Sequence, residues 1–219
     1  KERFEFASDL LGRDLLKICR ADIDSDTKIQ NLNDTRNTQP AMFVVESLLV
    51  DDLRNQGRQA SFVAGHSLGE IAALYAADVF DMETALRLLK CRSELMASAA
   101  NGAMIAVLGF ERKQLEDLVN ATDGVVIAND NSSSQVVISG TPEAVETVTS
   151  NVKCKRAVPL NVSGAFHSPF MKEASQAFSK DLDDILFNDP VFPVISNFNP
   201  IPESNGSILK ENLKQQMTN

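Results

Sequence analysis

The stretch Ser61-Phe62-Val63-Ala64-Gly65-His66-Ser67-Leu68-Gly69-Glu70 constrains this chain more than any other. An apolar run leads into G-x-S-x-G, and an Ala-rich helical pattern, Ile71 to Ala77, follows at once. Strand, sharp turn and helix is the context in which this pattern makes a nucleophile elbow. The serine then sits on a tight turn, with small residues on both sides so that the backbones can approach. At average Gly and Ser usage the bare pattern falls by chance about once in 3,000 positions. A chain of 219 residues is short for such a coincidence.

Composition narrows what the elbow can serve. The chain is 43% hydrophobic and 23% charged, enough for one large domain or a domain with an insertion. A formal charge of −9 argues against general nucleic-acid binding, which needs a basic footprint, and against docking on anionic lipid. No apolar run is long enough to span a membrane. Cys19, Cys91 and Cys154 are odd in number and widely spaced, which suits reduced thiols in a cytoplasmic compartment rather than a disulfide framework or zinc. No metal or cofactor is called for. The opening Lys1-Glu2-Arg3-Phe4 has no signal-peptide shape and no initiator Met. It reads as the middle of an amphipathic helix, so the true N-terminus is expected upstream.

Along the chain, residues 1–38 are polar and helix-leaning, with charged or polar loops at Asp22–Asp26 and Asn31–Asn37. Thr38 is the expected N-cap of a helix through Leu53, with Pro40 in its first turn. A helix over 82–100 follows the elbow. From Gly102 the texture changes: strand 103–108, helix 111–121, strands 124–128 and 135–139 about a polar turn, helix 142–152 capped by Thr141, strand 156–162. This β-α-β-β-α-β order is the ferredoxin-like pattern. The expected fold is α/β, with a core of 1–101 and 164–219 and a small inserted subdomain of 102–163. After a turn-rich bridge come a helix over 170–186, a strand over 191–196 and a helix over 207–217.

A serine hydroxyl is a weak nucleophile and needs a base. The chain has two histidines, His66 and His167. His66 precedes Ser67 directly, and successive side chains leave a tight turn in different directions, so it is expected to be a packed or hydrogen-bonded histidine beneath the elbow. By elimination His167 is the base. None of the acids after it, Glu173 to Glu211, stands in a context that recommends it as the orienting third member, and a backbone carbonyl can serve instead. The N–H of Leu68, at a helix start, is the expected oxyanion donor. No second donor is evident.

Several motifs occur in order: Thr38-Gln39-Pro40-Ala41, Gly65-His66-Ser67-Leu68-Gly69-Glu70, Cys91-Arg92-Ser93-Glu94-Leu95-Met96, Asn129-Asp130-Asn131-Ser132 with Gln135 to Gly140, and Gly164-Ala165-Phe166-His167-Ser168-Pro169-Phe170-Met171. Together, over essentially the whole chain, they resemble the malonyl-CoA:acyl carrier protein transacylases of bacterial-type fatty acid synthesis. The resemblance implies a serine acyltransferase on an α/β-hydrolase-like core with a ferredoxin-like subdomain. Its substrates are then malonyl-CoA and acyl carrier protein, in the cytoplasm or a plastid stroma. It implies that Ser67 is malonylated and that His167 is the base, held by a backbone carbonyl near Gln216. It further implies that Arg92 grips the malonyl carboxylate, that Gln39, Met96 and Asn131 line the substrate, and that Phe166 crowds a branching methyl.

The chain departs from this family in three ways. Arg92-Ser93 stands where Arg-Gly is usual, the family's opening strand with its Pro-Gly-Gln-Gly oxyanion loop is missing, and the last core strands are missing too. The chain is therefore expected to be part of a longer protein. The carrier is acidic in the family, so an acidic enzyme needs a local basic patch, for which Lys153, Lys155 and Arg156 are candidates. The alternatives in view are a polyketide synthase acyltransferase domain, a serine esterase or thioesterase, and a non-catalytic carrier-binding module.

Overall fold

The computed structural model describes residues 1–21, 31–99, 101–162 and 164–218. The expected loop at Asp22–Asp26, Ser163 at the edge of the expected subdomain, and Asn219 lie outside the described residues. The first elements in chain order are α1 (Glu2–Leu11), α2 (Leu15–Arg20), α3 (Thr35–Asn55), β1 (Val63–Ala64), α4 (Leu68–Ala76), α5 (Met82–Ser98), β2 (Ala103–Phe110) and α6 (Arg112–Asn120). Then follow β3 (Val125–Ser132), β4 (Gln135–Gly140), α7 (Pro142–Asn151), β5 (Cys154–Pro159), a short 3-10 turn (Pro169–Met171), α8 (Lys172–Asp183), β6 (Val194–Ile195) and α9 (Gly206–Gln215). They fall into two compact units, one of Lys1–Leu95 with Gln176–Gln216, the other of Met96–Ser175 with Met217–Asn219.

In the first unit, α3 starts a turn earlier than Thr38. Asp34 is the N-cap, its side chain accepting from Arg36 N, while the Thr38 hydroxyl donates to the Leu32 and Asp34 carbonyls. Pro40 thus lies inside the helix, where it has no N–H to give the carbonyl four residues back. That carbonyl belongs to Arg36, and Arg13 Nη2 donates to it at 2.6 Å instead. The buried face of α3, with Phe43 and Val44, shares the core with Ile71 and Leu74 of α4; Phe43 meets the Tyr75 ring edge-on at 5.6 Å. β1 pairs in parallel with β6, Val63 with Val194 and Ala64 with Ile195. The expected strand over 191–196 shrinks to two residues because Pro190 and Pro193 supply no N–H to a ladder.

The second unit is a four-stranded antiparallel sheet in the order β3-β4-β2-β5. Leu115 and Val119 of α6 and Val145 and Val148 of α7 join Val107, Val136 and Ile138 of the sheet in one buried cluster. Both helices therefore cover the same face. Thr141 caps α7 as expected, accepting from Ala144 N. The hairpin differs: β3 continues to Ser132 instead of ending at Ala128, because two register irregularities absorb its polar residues into the pairing with β4. β5 begins at Cys154, two residues earlier than expected.

Candidate active site

The elbow is built by backbone contact. A Cβ on Gly65 would lie 1.8 Å from the Gly69 carbonyl oxygen and 2.6 Å from Glu70 N, so only glycine lets β1 run this close to the start of α4. Gly69 differs, since a Cβ there would meet nothing within 4 Å among the described residues. Ser67 sits at φ 53°, ψ −111°, a conformation that costs a non-glycine residue energy and collects at functional sites. Asn197, just past β6, clips this turn on both sides: its Oδ1 accepts from Ser67 N at 2.7 Å, and its Nδ2 donates to the Gly65 carbonyl at 2.6 Å. Leu68 is the first residue of α4, so its N–H is one of the helix-start donors with no intrahelical acceptor.

Arg92 of α5 is fully buried and reaches the elbow. Its Nη2 donates to Ser67 Oγ and to Gln216 Oε1, each at 2.9 Å, and its Nη1 donates to Gln39 Oε1 at 2.6 Å. Its Nε has no acceptor among the described residues. Burial lowers the Arg92 guanidinium to about 10, partly offset by the charge of Glu70, so it stays protonated at neutral pH. Glu70 is itself wholly buried. Burial raises its carboxyl, against the opposing effects of Gln216, Asn197 N, Ser196 and the Arg92 charge.

Four of the residues singled out from sequence, Gln39, Ser67, Arg92 and Gln216, thus share one hydrogen-bonded cluster. Met96, Asn131, Phe166 and His167 belong to the second unit. There Met96 and Phe166 are buried and Asn131 is exposed on β3. His167 is 9% exposed and, like Ser67, holds a positive φ of 53°. Its loop is pressed on small residues: a Cβ on Gly102 would fall 2.2 Å from Ala165 N, and one on Gly164 would fall 2.7 Å from the Phe166 ring. Ser168 steadies the loop by donating to the Ala165 carbonyl at 2.5 Å. His66 is exposed, not packed beneath the elbow as expected, because the tight turn throws it outward. Sequence reasoning passed over Glu70 and Asn197. Glu70 was visible only as part of the elbow motif, and Asn197 reads as an ordinary loop residue.

Residues 13–217 match the acyl transferase domain family. The chain belongs to the acyl transferase family. It is 51% identical over 218 residues to the malonyl CoA-acyl carrier protein transacylase of Synechocystis sp., covering 100% of this chain and 72% of that protein. The crystal structure of a Synechocystis malonyl-CoA:ACP transacylase superposes with a TM-score of 0.93 at 50% identity, over 99% of this chain and 72% of that one. A complex of a type II polyketide-synthase acyl carrier protein with its malonyl-transacylase gives 0.85 at 33% identity, over 100% and 72%. The Arg92 guanidinium puts positive charge beside Ser67 Oγ, a field that favours an alkoxide over an alcohol at that position. Its planar fork also matches a carboxylate. Among the described residues no helix is long and apolar enough to cross a membrane.

Proposed function

We propose that the chain moves a malonyl group from malonyl-CoA to the phosphopantetheine thiol of acyl carrier protein, through an ester on Ser67. One observation carries this reading: a fully buried guanidinium lies 2.9 Å from the oxygen of an elbow serine. A hydrolase of neutral esters has no substrate carboxylate to set against such a charge. An acyl group ending in a carboxylate supplies one, and acetyl would leave the guanidinium charge without that counter-ion. The relatives' activity and the motif resemblance agree with it.

In the first half-reaction His167 takes the Ser67 proton as Oγ bonds to the thioester carbon. The Leu68 N–H meets the developing oxyanion. The intermediate collapses by breaking the C–S bond, and CoA leaves with the proton from His167. In the second half-reaction His167 deprotonates the carrier thiol, sulfur attacks the malonyl-serine, and Ser67 leaves as the alcohol. Arg92 holds the malonyl carboxylate throughout, with Gln39, Met96 and Asn131 lining the substrate and the Gln216 backbone carbonyl orienting His167. Phe166 selects against a branching methyl.

The same reading makes the first unit an α/β-hydrolase-like core and the second, with its 2-3-1-4 strand order and both helices on one face, a ferredoxin-like insertion. The domain limits are 1–101 with 164–219, and 102–163. The reaction belongs in the cytoplasm or a plastid stroma. A polyketide synthase acyltransferase would share this chemistry and differ in its carrier.

Intact-mass measurement after incubation with malonyl-CoA or acetyl-CoA tests the proposal. The wild type gains a malonyl adduct and little acetyl, and Ser67→Ala gains neither. His167→Ala acylates at least ~100-fold more slowly, the scale of a lost general base. Arg92→Ala loses the preference for malonyl. An adduct on Ser67→Ala, or a retained preference in Arg92→Ala, would refute the assigned roles.

A further inference from the structure

Ser67 and Glu70 stand at the spacing of a capping box, in which the serine hydroxyl and the carboxylate three residues later exchange bonds with each other's backbone N–H. The box is not made. The Ser67 side chain forms no cap bond, and its N–H goes to Asn197 Oδ1. Asn197 has taken the carboxylate's place, and Glu70 turns inward to full burial.

There a single oxygen, Glu70 Oε2, accepts from Gln216 Nε2 at 2.7 Å and from Asn197 N at 3.0 Å. Each donor leads to a different part of the site. Asn197 holds the Gly65 carbonyl and the Ser67 N–H, and so the strained turn under the nucleophile. Gln216 Nε2 also donates to the Ser67 carbonyl at 2.9 Å, and Gln216 Oε1 accepts from Arg92 Nη2. A primary amide has a direction. With Nε2 tied to a carboxylate, its oxygen must face the guanidinium; turned over, it would set N–H against N–H and push Arg92 off Ser67 Oγ.

We propose that Glu70 is the positioning residue of this site: through Oε2 it fixes the sense of the Gln216 amide and the place of Asn197, and so holds Ser67 Oγ and the Arg92 guanidinium in mutual register. The inference rests on the malonyl-transfer reading and adds to it a residue that touches no substrate.

The test separates acceptor geometry from charge. Glu70→Asp keeps the charge but withdraws the oxygen from both donors by one methylene. Glu70→Gln drops the charge but presents an amide oxygen at the same point. Ser67 acylation is followed by intact mass with malonyl-CoA and acetyl-CoA, with KM and kcat for malonyl-CoA and a thermal melt as the folding control. Glu70→Asp is expected to melt like wild type yet lose about tenfold or more in its malonyl-to-acetyl ratio, since an error near 1 Å costs on the order of 100-fold. Its KM for malonyl-CoA rises as the arginine drifts. Glu70→Gln keeps most of both. The proposal is overturned if Glu70→Asp acylates like wild type, or if Glu70→Gln is the worse of the two, because charge and not oxygen placement would then be decisive. Should Glu70→Asp fail to fold, Glu70→Gln still decides: retained selectivity supports the proposal and lost selectivity overturns it. A wild type that gains no malonyl adduct would refute the function instead, before either variant is compared.

Discussion

At the residue scale the two glycines of the elbow motif part company. Gly65 faces backbone: a methyl there would press on the Gly69 carbonyl and Glu70 N, and no side-chain rotation relieves such a clash. Gly65→Ala is therefore expected to shift the start of α4 away from β1. It should destabilise the fold by several kcal/mol, in the range of the severe core substitutions, and abolish detectable malonylation of Ser67. Gly69 faces open space, lies inside α4 and has no positive φ. Gly69→Ala should gain up to ~1 kcal/mol from helix propensity, read as a higher melting temperature. A melting temperature for Gly69→Ala as low as that of Gly65→Ala would contradict the geometry. Cys91 gives a second residue-scale outcome. Burial pushes its thiol up to about 12, and Asp181, on which the thiol donates, adds to the shift. The thiolate is the reactive form, so iodoacetamide at pH 8 should leave Cys91 unlabelled in the folded protein while denaturant exposes it.

At the element scale α3 shows how a helix can tolerate an internal proline. Asp34 caps it, and Arg13 supplies the hydrogen bond that Pro40 cannot. Asp34→Ala should cost about 1 kcal/mol, the usual worth of a side-chain N-cap, measured by urea denaturation. Burial works to raise the Asp34 carboxyl, but the Arg36 side chain and N–H, with Arg13, overcome it and hold the group below its ordinary value. Its contribution is thus fully present above the unfolded value near pH ~3.9 and lost as pH falls through the lower folded one. The deficit of Asp34→Ala should accordingly shrink below about pH 4. The same helix shows what was legible beforehand. Its apolar period and Pro40 announced a helix, but its start at the Asp34 cap puts Pro40 inside it, and that is tolerated through Arg13, some twenty residues away, which no local pattern contains. The elbow, α5 and the cap at Thr141 were readable because short-range chemistry sets them. β6 and the length of β3 were not, because partner strands and flanking prolines decide them. In the site, Ser67 and Arg92 carried motif signals, whereas Asn197 meets the elbow from 130 residues away.

At the scale of the whole chain the formal charge of −9 bears on the proposed second half-reaction, in which the acidic carrier that the resemblance implies must approach an acidic chain. Like net charges slow encounter unless a local patch of opposite sign faces the partner. Lys153, Lys155 and Arg156 are exposed, the last two on β5, an edge strand of its sheet. Lysine on an edge also deters strand-to-strand aggregation, so exposure alone does not assign the patch, and a rate measurement does. Lys155→Glu with Arg156→Glu should lower kcat/KM for the carrier several-fold at low salt, with the deficit closing near 0.5 M salt, where screening acts over only about 4 Å. Loading of Ser67 from a malonyl N-acetylcysteamine thioester, which brings neither protein nor nucleotide, should be unchanged. A carrier step indifferent to both charge reversals would leave β5 with edge protection alone, and the carrier would have to dock on another face.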